Sequence, residues 1–323
     1  MVAIRSDDRI LAGLLFLALA LPGTRPVLAQ DYPSKTVRIL TSEAGGGSDL
    51  GVRILAQALT AQYGQAVVVE NRSGGVIAGE VVSKSPPDGY TLLHYGGSLW
   101  LLPLMRKEVP YNVAKDFMPI TMAIQTPLIL TVHPAFRANS VRELIALAKS
   151  RPGQIDYASA ALGTANHLAT ELLNYMAGIK LARIGYKGPA SALISTMVGE
   201  TQVFFPVIGL GLEQMKVGKL KGLAVTSEKP SALAPGVPTI AETLPGYESV
   251  FRTAVFAPAG TPAALINRLN RDMVQVLQRA DVKQKLLSIG IESIPSTPQE
   301  AATSIQSEVS IMGKVIAQAG IKE

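Results

Sequence analysis

A strand that runs straight into glycines and then into a helix stands early in this chain, and the same grammar restarts in its middle. Val37-Arg38-Ile39-Leu40 reads as a strand and Gly45-Gly46-Gly47-Ser48-Asp49 as a loop. The residues that follow read as a helix with Leu50, Ile54, Leu55, Ala58 and Leu59 on one face and Gly64 as its stop. Residues 67–69 and 90–94 read as further strands, with a helix over 77–82 and a turn at Pro86-Pro87-Asp88-Gly89 between them. Past residue 130, Ile155-Asp156-Tyr157-Ala158 is again a strand. It feeds Ser159-Ala160-Ala161-Leu162-Gly163-Thr164 and a helix to about Ala177. Strands alternating with helices imply parallel pairing with both sheet faces covered, because a parallel neighbour is reached only by a crossover. Two such halves facing each other make a cleft, and ligands of parallel α/β sheets bind beyond the carboxyl ends of the strands.

The remaining segments fit around these halves. Ser140-Val141-Arg142-Glu143 reads as a capping box opening a helix to about Lys149, stopped by Pro152-Gly153. A helix over 189–198, strands over 201–205 and 220–225, and a proline-rich loop over 231–239 follow. The C-terminal part is mostly helical. Thr261-Pro262 reads as a cap and first-turn proline before Leu265, Leu269, Met273 and Leu277. Thr297-Pro298-Gln299-Glu300 is a second capping box, before Ile305, Val309, Met312 and Ile316 on one face.

Composition narrows the chemistry. Hydrophobic residues are 48% of the 323 and charged residues 17%, which is the balance of a packed protein. Cysteine is absent, which removes disulfides, thiolate metal sites and thiol catalysis. The three histidines, His94, His133 and His167, have no metal-ligand spacing. Net charge is +6, but Lys and Arg are spread singly, so no nucleic-acid partner is expected. No cofactor motif is present: a P-loop would need Lys followed by Ser or Thr after the glycines. Residues 1–29 read as a cleaved export signal. Arg5 and Arg9 precede an apolar run over 10–21, and Val27-Leu28-Ala29 fits a cleavage site after Ala29. That run is too short to span a bilayer. The mature chain is then 30–323, expected in a periplasm.

The two loops carry the candidate chemistry by their physics. Glycines let backbone N–H groups approach a ligand, and a helix start adds partial positive charge, so such a loop suits a carboxylate. The same residues also serve as ordinary tight turns with Ser48 or Asp49 as cap. His167 falls inside a helix and reads as a packing or hydrogen-bonding residue rather than a catalyst. Ser48 and Ser98 follow glycines, but no base stands near either in sequence, and no hydrolase or metalloprotease motif occurs.

Several stretches in order carry a family resemblance over nearly all of residues 31–323. They are Tyr32-Pro33-Ser34-Lys35, the glycine loop with Arg53 after it, Val68-Val69-Glu70-Asn71-Arg72, Pro87-Asp88-Gly89-Tyr90-Thr91-Leu92 and Asp116-Phe117-Met118-Pro119-Ile120. Tyr157-Ala158-Ser159-Ala160 through His167-Leu168-Ala169 comes next, then Gly185-Tyr186-Lys187-Gly188, Val237-Pro238-Thr239 and Ala257-Pro258-Ala259-Gly260-Thr261-Pro262. In these the chain resembles the periplasmic solute-binding subunits of tripartite tricarboxylate transporters, also called the Bordetella uptake gene family.

The resemblance implies an α/β, two-domain Venus-flytrap fold with parallel-rich sheets flanked by helices, closing on a small carboxylate-bearing molecule. It implies one domain from residues 30–131 plus 252–323 and a second from 132–251, with crossovers near 130–132 and 251–255. It also implies ligand carboxylates held mainly by backbone N–H groups and waters. Those positions match Ser42, Glu43, Ala44, Gly46, Gly47, Ser48 and Asp49 in the first loop, and Ala160, Ala161, Gly163, Thr164 and Asn166 in the second. Tyr186 and Lys187 complete the candidate set. The implied partners are the small carboxylate and, transiently, membrane transporter subunits, with the binding protein a monomer and without catalysis. A periplasmic hydrolase using the same cleft and a subunit presenting ligand to a sensor are the competing readings. The chain departs from the family pattern at Thr41-Ser42-Glu43, where an aromatic and prolines are usual, and at Pro206, where an acidic residue is common. Glu43 sets an anion beside the expected anion site.

Overall fold

The computed structural model describes residues 32–322 other than 43, 45, 46, 73–75 and 161. The expected export signal, Glu43, Gly46 and Ala161 lie outside the described residues. In chain order the elements begin β1 (Val37–Thr41), α1 (Gly47–Tyr63), β2 (Val67–Asn71), α2 (Ile77–Ser83), β3 (Thr91–Gly96) and α3 (Ser98–Met105). After a short turn α4 (Val113–Asp116), β4 (Phe117–Pro127) passes almost directly into β5 (Ile129–Val132). Then come α5 (Val141–Ser150), β6 (Asp156–Ser159), α6 (Ala165–Ala177), β7 (Ala182–Gly185), α7 (Pro189–Met197), β8 (Val203–Phe204), α8 (Ile208–Lys216) and β9 (Lys221–Val225). The chain returns through β10 (Val250–Pro258) to α9 (Ala263–Gln278), α10 (Ala280–Ser288), β11 (Glu292–Ser293) and α11 (Pro298–Ala319).

These strands form two sheets, in the orders β11-β4-β10-β3-β1-β2 and β7-β6-β8-β5-β9. Pairing is parallel where the alternating strand–helix grammar is clear: β1 with β2 and β3, and β6 with β7 and β8. The strands that carry the chain between sheets run antiparallel. β10 pairs so with β3 and β4, and β5 with β8 and β9. Residues 130–132 lie within β5 in the second sheet, and residues 251–255 lie within β10 in the first.

Helices cover both faces of the first sheet. On one face Val52, Leu55, Ala56 and Leu59 of α1 pack with Ile266, Leu269, Met273 and Leu277 of α9 over Ile39 and Leu92. On the other, α2, α3 and α11 join a core that continues without a break into the second sheet, through Leu128, Leu130, Tyr157, Leu172 and Phe205. A continuous apolar core across the chain crossings ties the two sheets together where the β4–β5 and β9–β10 passages lie.

Local expectations hold in most places and fail for identifiable reasons. The buried stripe of α1 is rotated, leaving Leu50 44% exposed, because the helix starts within the glycine loop at Gly47. Val68 is also 44% exposed, since β2 is an edge strand and only one of its neighbours is a strand. Thr297 and Glu300 form the expected reciprocal capping box. Ser140 Oγ accepts the Glu143 N–H, but the Glu143 carboxylate takes the Asn139 N–H instead of that of Ser140. Thr261 does not cap α9: its hydroxyl donates to the Pro258 carbonyl, and Pro262 stands at the cap position.

Candidate functional site

Parallel pairing brings the loops together. Thr41, Asn71 and Gly96 end β1, β2 and β3 at one edge of the first sheet, and Thr253, near the start of antiparallel β10, pairs with Gly96 there. In the second sheet the ends of β6 and β7, Ser159 and Gly185, pair directly. Each sheet therefore presents its strand-to-helix loops along one edge, as the carboxyl-end rule requires.

The first loop is held by side chains that run from fully buried to exposed. Asp49 Oδ1 accepts from Arg53 Nε at 2.9 Å and from Asn71 Nδ2 at 2.8 Å. Asn71 Nδ2 also reaches the Ser42 carbonyl at 2.9 Å, and Arg53 Nη2 donates to Asn71 Oδ1 at 2.7 Å. Ser48 Oγ lies 3.3 Å from Thr41 Oγ1 and 3.2 Å from His94 Nδ1. His94 Nε2 is 2.8 Å from Thr253 Oγ1. One fully buried imidazole thus joins β1, β3, β10 and α1. Burial lowers its pKa to about 3, with Asp49 pulling the other way, so the ring is neutral at physiological pH. Sequence spacing finds no base near Ser48, and folding supplies one, because β3 lies beside β1. Ser48 and Asp49 are bonded inward and set the shape of the loop. Ala44 is exposed, and Gly47 opens α1.

The second loop is held by its own strand–helix unit and one neighbour. Gly163, at φ +74°, donates its N–H to His167 Nδ1 at 3.0 Å, and Thr164 Oγ1 donates to Asn166 Oδ1 at 2.6 Å. Arg183, from β7, donates to Ser159 Oγ and to the Ala160 carbonyl, each at 2.7 Å. His167 stacks on Tyr157 with ring centroids 6.5 Å apart. Burial, then Arg183, lower its pKa to about 4. It is a hydrogen-bond acceptor for the loop, as its helical position suggests. The Tyr186 N–H donates to the Ser159 carbonyl, and its ring packs beside Ala158 and Phe204, while Lys187 is exposed.

A cavity of about 740 Å³ lies where α3, α6, α11 and the start of β10 meet. Gly163 and Thr164 are the described candidate residues that line it. Ser42, Ser48, Asp49, Asn166, Tyr186 and Lys187 do not. From the first sheet the cavity is approached by Gly97 and Ser98 at the start of α3. Neither Gly97 nor Thr164 caps its helix with a side chain, and in α3 the Trp100 N–H turns back to the Gly97 carbonyl at 3.1 Å. By sequence Ser98 reads only as a candidate nucleophile without a base. The signal that finds it as a lining residue is the glycine pair at the end of β3, the same strand-end grammar as in the first loop. Arg183 left no local signal, since it reaches the second loop only through the parallel register of Tyr157 with Arg183. Among the described residues no cluster of His, Asp or Glu has the arrangement to hold a metal ion.

The chain matches the family described as the tripartite tricarboxylate transporter family receptor over residues 52–321. It is 35% identical to Protein BugT of Bordetella pertussis over 306 residues, 92% of this chain and 93% of that protein. Among solved structures it is similar to Rpa4515 of R. palustris with adipate, at 32% identity and a TM-score of 0.72, covering 90% of this chain and 99% of the other. MatC from Rhodopseudomonas palustris, with bound malate, matches at 25% identity and a TM-score of 0.68, covering 88% and 100%. These are two-lobed binding-protein folds, and this chain belongs to the tripartite tricarboxylate transporter receptor family.

Proposed function

We propose that this chain is a periplasmic receptor that captures a small carboxylate between its two sheets and delivers it to membrane subunits of a tripartite tricarboxylate-type transporter. The observation that carries the reading is the meeting of two helix starts, one from each sheet, at a single cavity. Helix starts without a side-chain cap and aligned peptide dipoles favour an anion there by about 0.3–1 kcal/mol per helix before hydrogen bonds are added. The amides at Gly46 and Gly47, with Glu43 beside them, join the same reading as the expected second side of the carboxylate site. The relatives with adipate and malate support a carboxylate class.

Binding without chemistry is the better reading of the Ser48–His94 pair. The hydroxyl is buried and does not line the cavity, both ring nitrogens are bonded, and Asp49, the nearby acid, is bonded to Arg53 and Asn71. A hydrolase needs its nucleophile at the substrate. On this reading the chain is exported after cleavage at Ala29 and acts as a monomer. Its lobes, 30–131 with 252–323 against 132–251, close about the crossovers when ligand binds. The experiment is a melting-temperature panel of small carboxylates against neutral sugars. Ligand at 100 times its Kd stabilises by about 2.7 kcal/mol, so a carboxylate that binds raises Tm by several degrees. A response to sugars with silence across the carboxylates would overturn the proposal.

A further inference from the structure

An acidic side chain stands where the cavity offers its helix start to an anion. Glu308, from the middle of α11, lines the cavity beside Gly97, and a Cβ on that glycine would lie 3.4 Å from its Oε1. A ligand carboxylate seated at the start of α3 therefore has a second carboxyl group as its neighbour. Glu308 as a whole is part-buried, but its carboxyl lies deep enough that burial raises its pKa. Arg252 and Trp100 oppose the rise, and Glu248 adds to it. Among the described residues that line the cavity Arg252 is the one cation, and it is paired with Glu248 rather than with Glu308. The buried indole N–H of Trp100 adjoins the Glu308 carboxyl without closing a hydrogen bond of normal geometry.

Two carboxylates side by side need a positive charge or a shared proton between them. The described lining holds no Lys or His to supply it. The ligand itself can. An ammonium on the carbon that bears the carboxylate reaches Glu308 while the carboxylate keeps to the helix starts. A hydroxyl at the same carbon gives a hydrogen bond but no charge, and charge-assisted hydrogen bonds are about twice as strong as neutral ones.

Resting on the carboxylate reading above, we propose that the ligand is a zwitterionic 2-amino acid, with its carboxylate at the starts of α3 and α6 and its ammonium donating to Glu308. Its side chain then lies among apolar groups, because both helix starts are flanked by them. Leu101 Cδ1 would stand 3.6 Å from a Cβ on Gly97, and Met105 Sδ 2.8 Å from one on Gly163. Leucine is accordingly the first probe.

Leucine, 2-hydroxy-4-methylpentanoate and 4-methylpentanoate share one carbon skeleton and differ only in the group beside the carboxylate. Aspartate and succinate make a second matched pair. In isothermal titration of the full mature chain near neutral pH, leucine should bind at least about tenfold tighter than 4-methylpentanoate, with the hydroxy acid between them. Glu308→Gln should weaken leucine at least about tenfold and leave 4-methylpentanoate within about twofold or tighter. The wild-type pairs decide the ligand class whether or not that variant folds. Either plain acid binding as tightly as its amino partner would overturn this inference and leave the carboxylate reading standing. Silence from all five acids in a folded protein would overturn both. Equal losses for leucine and 4-methylpentanoate in folded Glu308→Gln would make Glu308 a support of the cavity wall and overturn its role as the ammonium acceptor.

Discussion

The β1–α1 loop and the β6–α6 loop look alike as strings of small residues before a helix, yet they are held in different ways. The first is braced from afar. Asn71 from β2 and His94 from β3 bond to it or to the residues that flank it, and Thr253 from β10 holds the other nitrogen of His94. The second is braced mostly from within. Thr164 bonds to Asn166 and His167 to Gly163, and among the described side chains Arg183 reaches in from a neighbouring strand. A loop that offers backbone amides to a ligand cannot also satisfy itself with them, so its rigidity must come from side chains. The first loop spends buried polar groups of the sheet on this, while the second spends residues of its own helix.

The comparison breaks or holds first on the two histidines. Replacing His94 with Leu takes the ring partner from the buried hydroxyls of Thr253, Ser48 and Thr41 and leaves the last two only each other, and each unsatisfied group in the core costs about 1–3 kcal/mol. The expected loss for His94→Leu is about 3–5 kcal/mol, allowing for relaxation among the three hydroxyls. His167→Leu strands the single amide of Gly163, in a partly exposed loop, and should cost about 1–2 kcal/mol. Urea denaturation of both variants gives the ratio. Equal losses would mean that the two loops are braced alike.

This asymmetry also explains what sequence could and could not convey. The strands of residues 37–41 and 156–159, the helix stops at Gly64 and Gly178, and the box at Thr297 are written in local pattern, and they were legible. The second loop was partly legible for the same reason, since its partners lie within a few residues. The His94 junction was not, because it joins positions 41, 48, 94 and 253, which only sheet order brings together. Strands β4 and β10 were missed as strands because Pro119, Pro127 and Pro258 interrupt their apolar pattern and the pairing is antiparallel. The cavity was illegible for a further reason: its lining comes from α3, α6, α11 and β10, four elements that share no motif.

Acid should separate the two regions next. His94 and His167 both have pKa values lowered in the fold, to about 3 and about 4, from an unfolded value near 6.5. Between those limits the unfolded chain binds more protons than the folded one, so stability rises with pH and falls as pH drops from 6.5. Two pH units at up to about 1.4 kcal/mol each give a loss near 2–3 kcal/mol for fully buried His94 by pH 4.5. His167, also buried and with a folded pKa near 4, adds a similar loss over this window and falls behind His94 only below about pH 4. Stability measured at pH 6.5 and 4.5 in wild type and His94→Leu tests this. The variant should keep about half of the slope, the part that His167 contributes, and an unchanged slope would place the acid sensitivity outside the first loop.

The smallest expected effect is the most informative about which loop meets the ligand. Arg183 and Arg53 each fork to two acceptors, a geometry that lysine cannot reproduce. Arg183 holds Ser159 Oγ and the Ala160 carbonyl, immediately before Gly163 and Thr164, which line the cavity. Arg53 holds Asp49 and Asn71, and after Arg53→Lys the Asn71 amide still has both Asp49 and the Ser42 carbonyl to hold. Arg183→Lys should therefore weaken carboxylate binding by up to about tenfold, or 1.4 kcal/mol, through a misplaced loop. Arg53→Lys should leave affinity within about twofold while lowering stability by about 0.5–1 kcal/mol, the scale of one partly exposed ion pair. Titration with one binding carboxylate, alongside urea unfolding, separates the two readouts. If Arg53→Lys weakens binding as much as Arg183→Lys does, both loops position the ligand equally, and the distant bracing of the first loop serves the binding site rather than the fold.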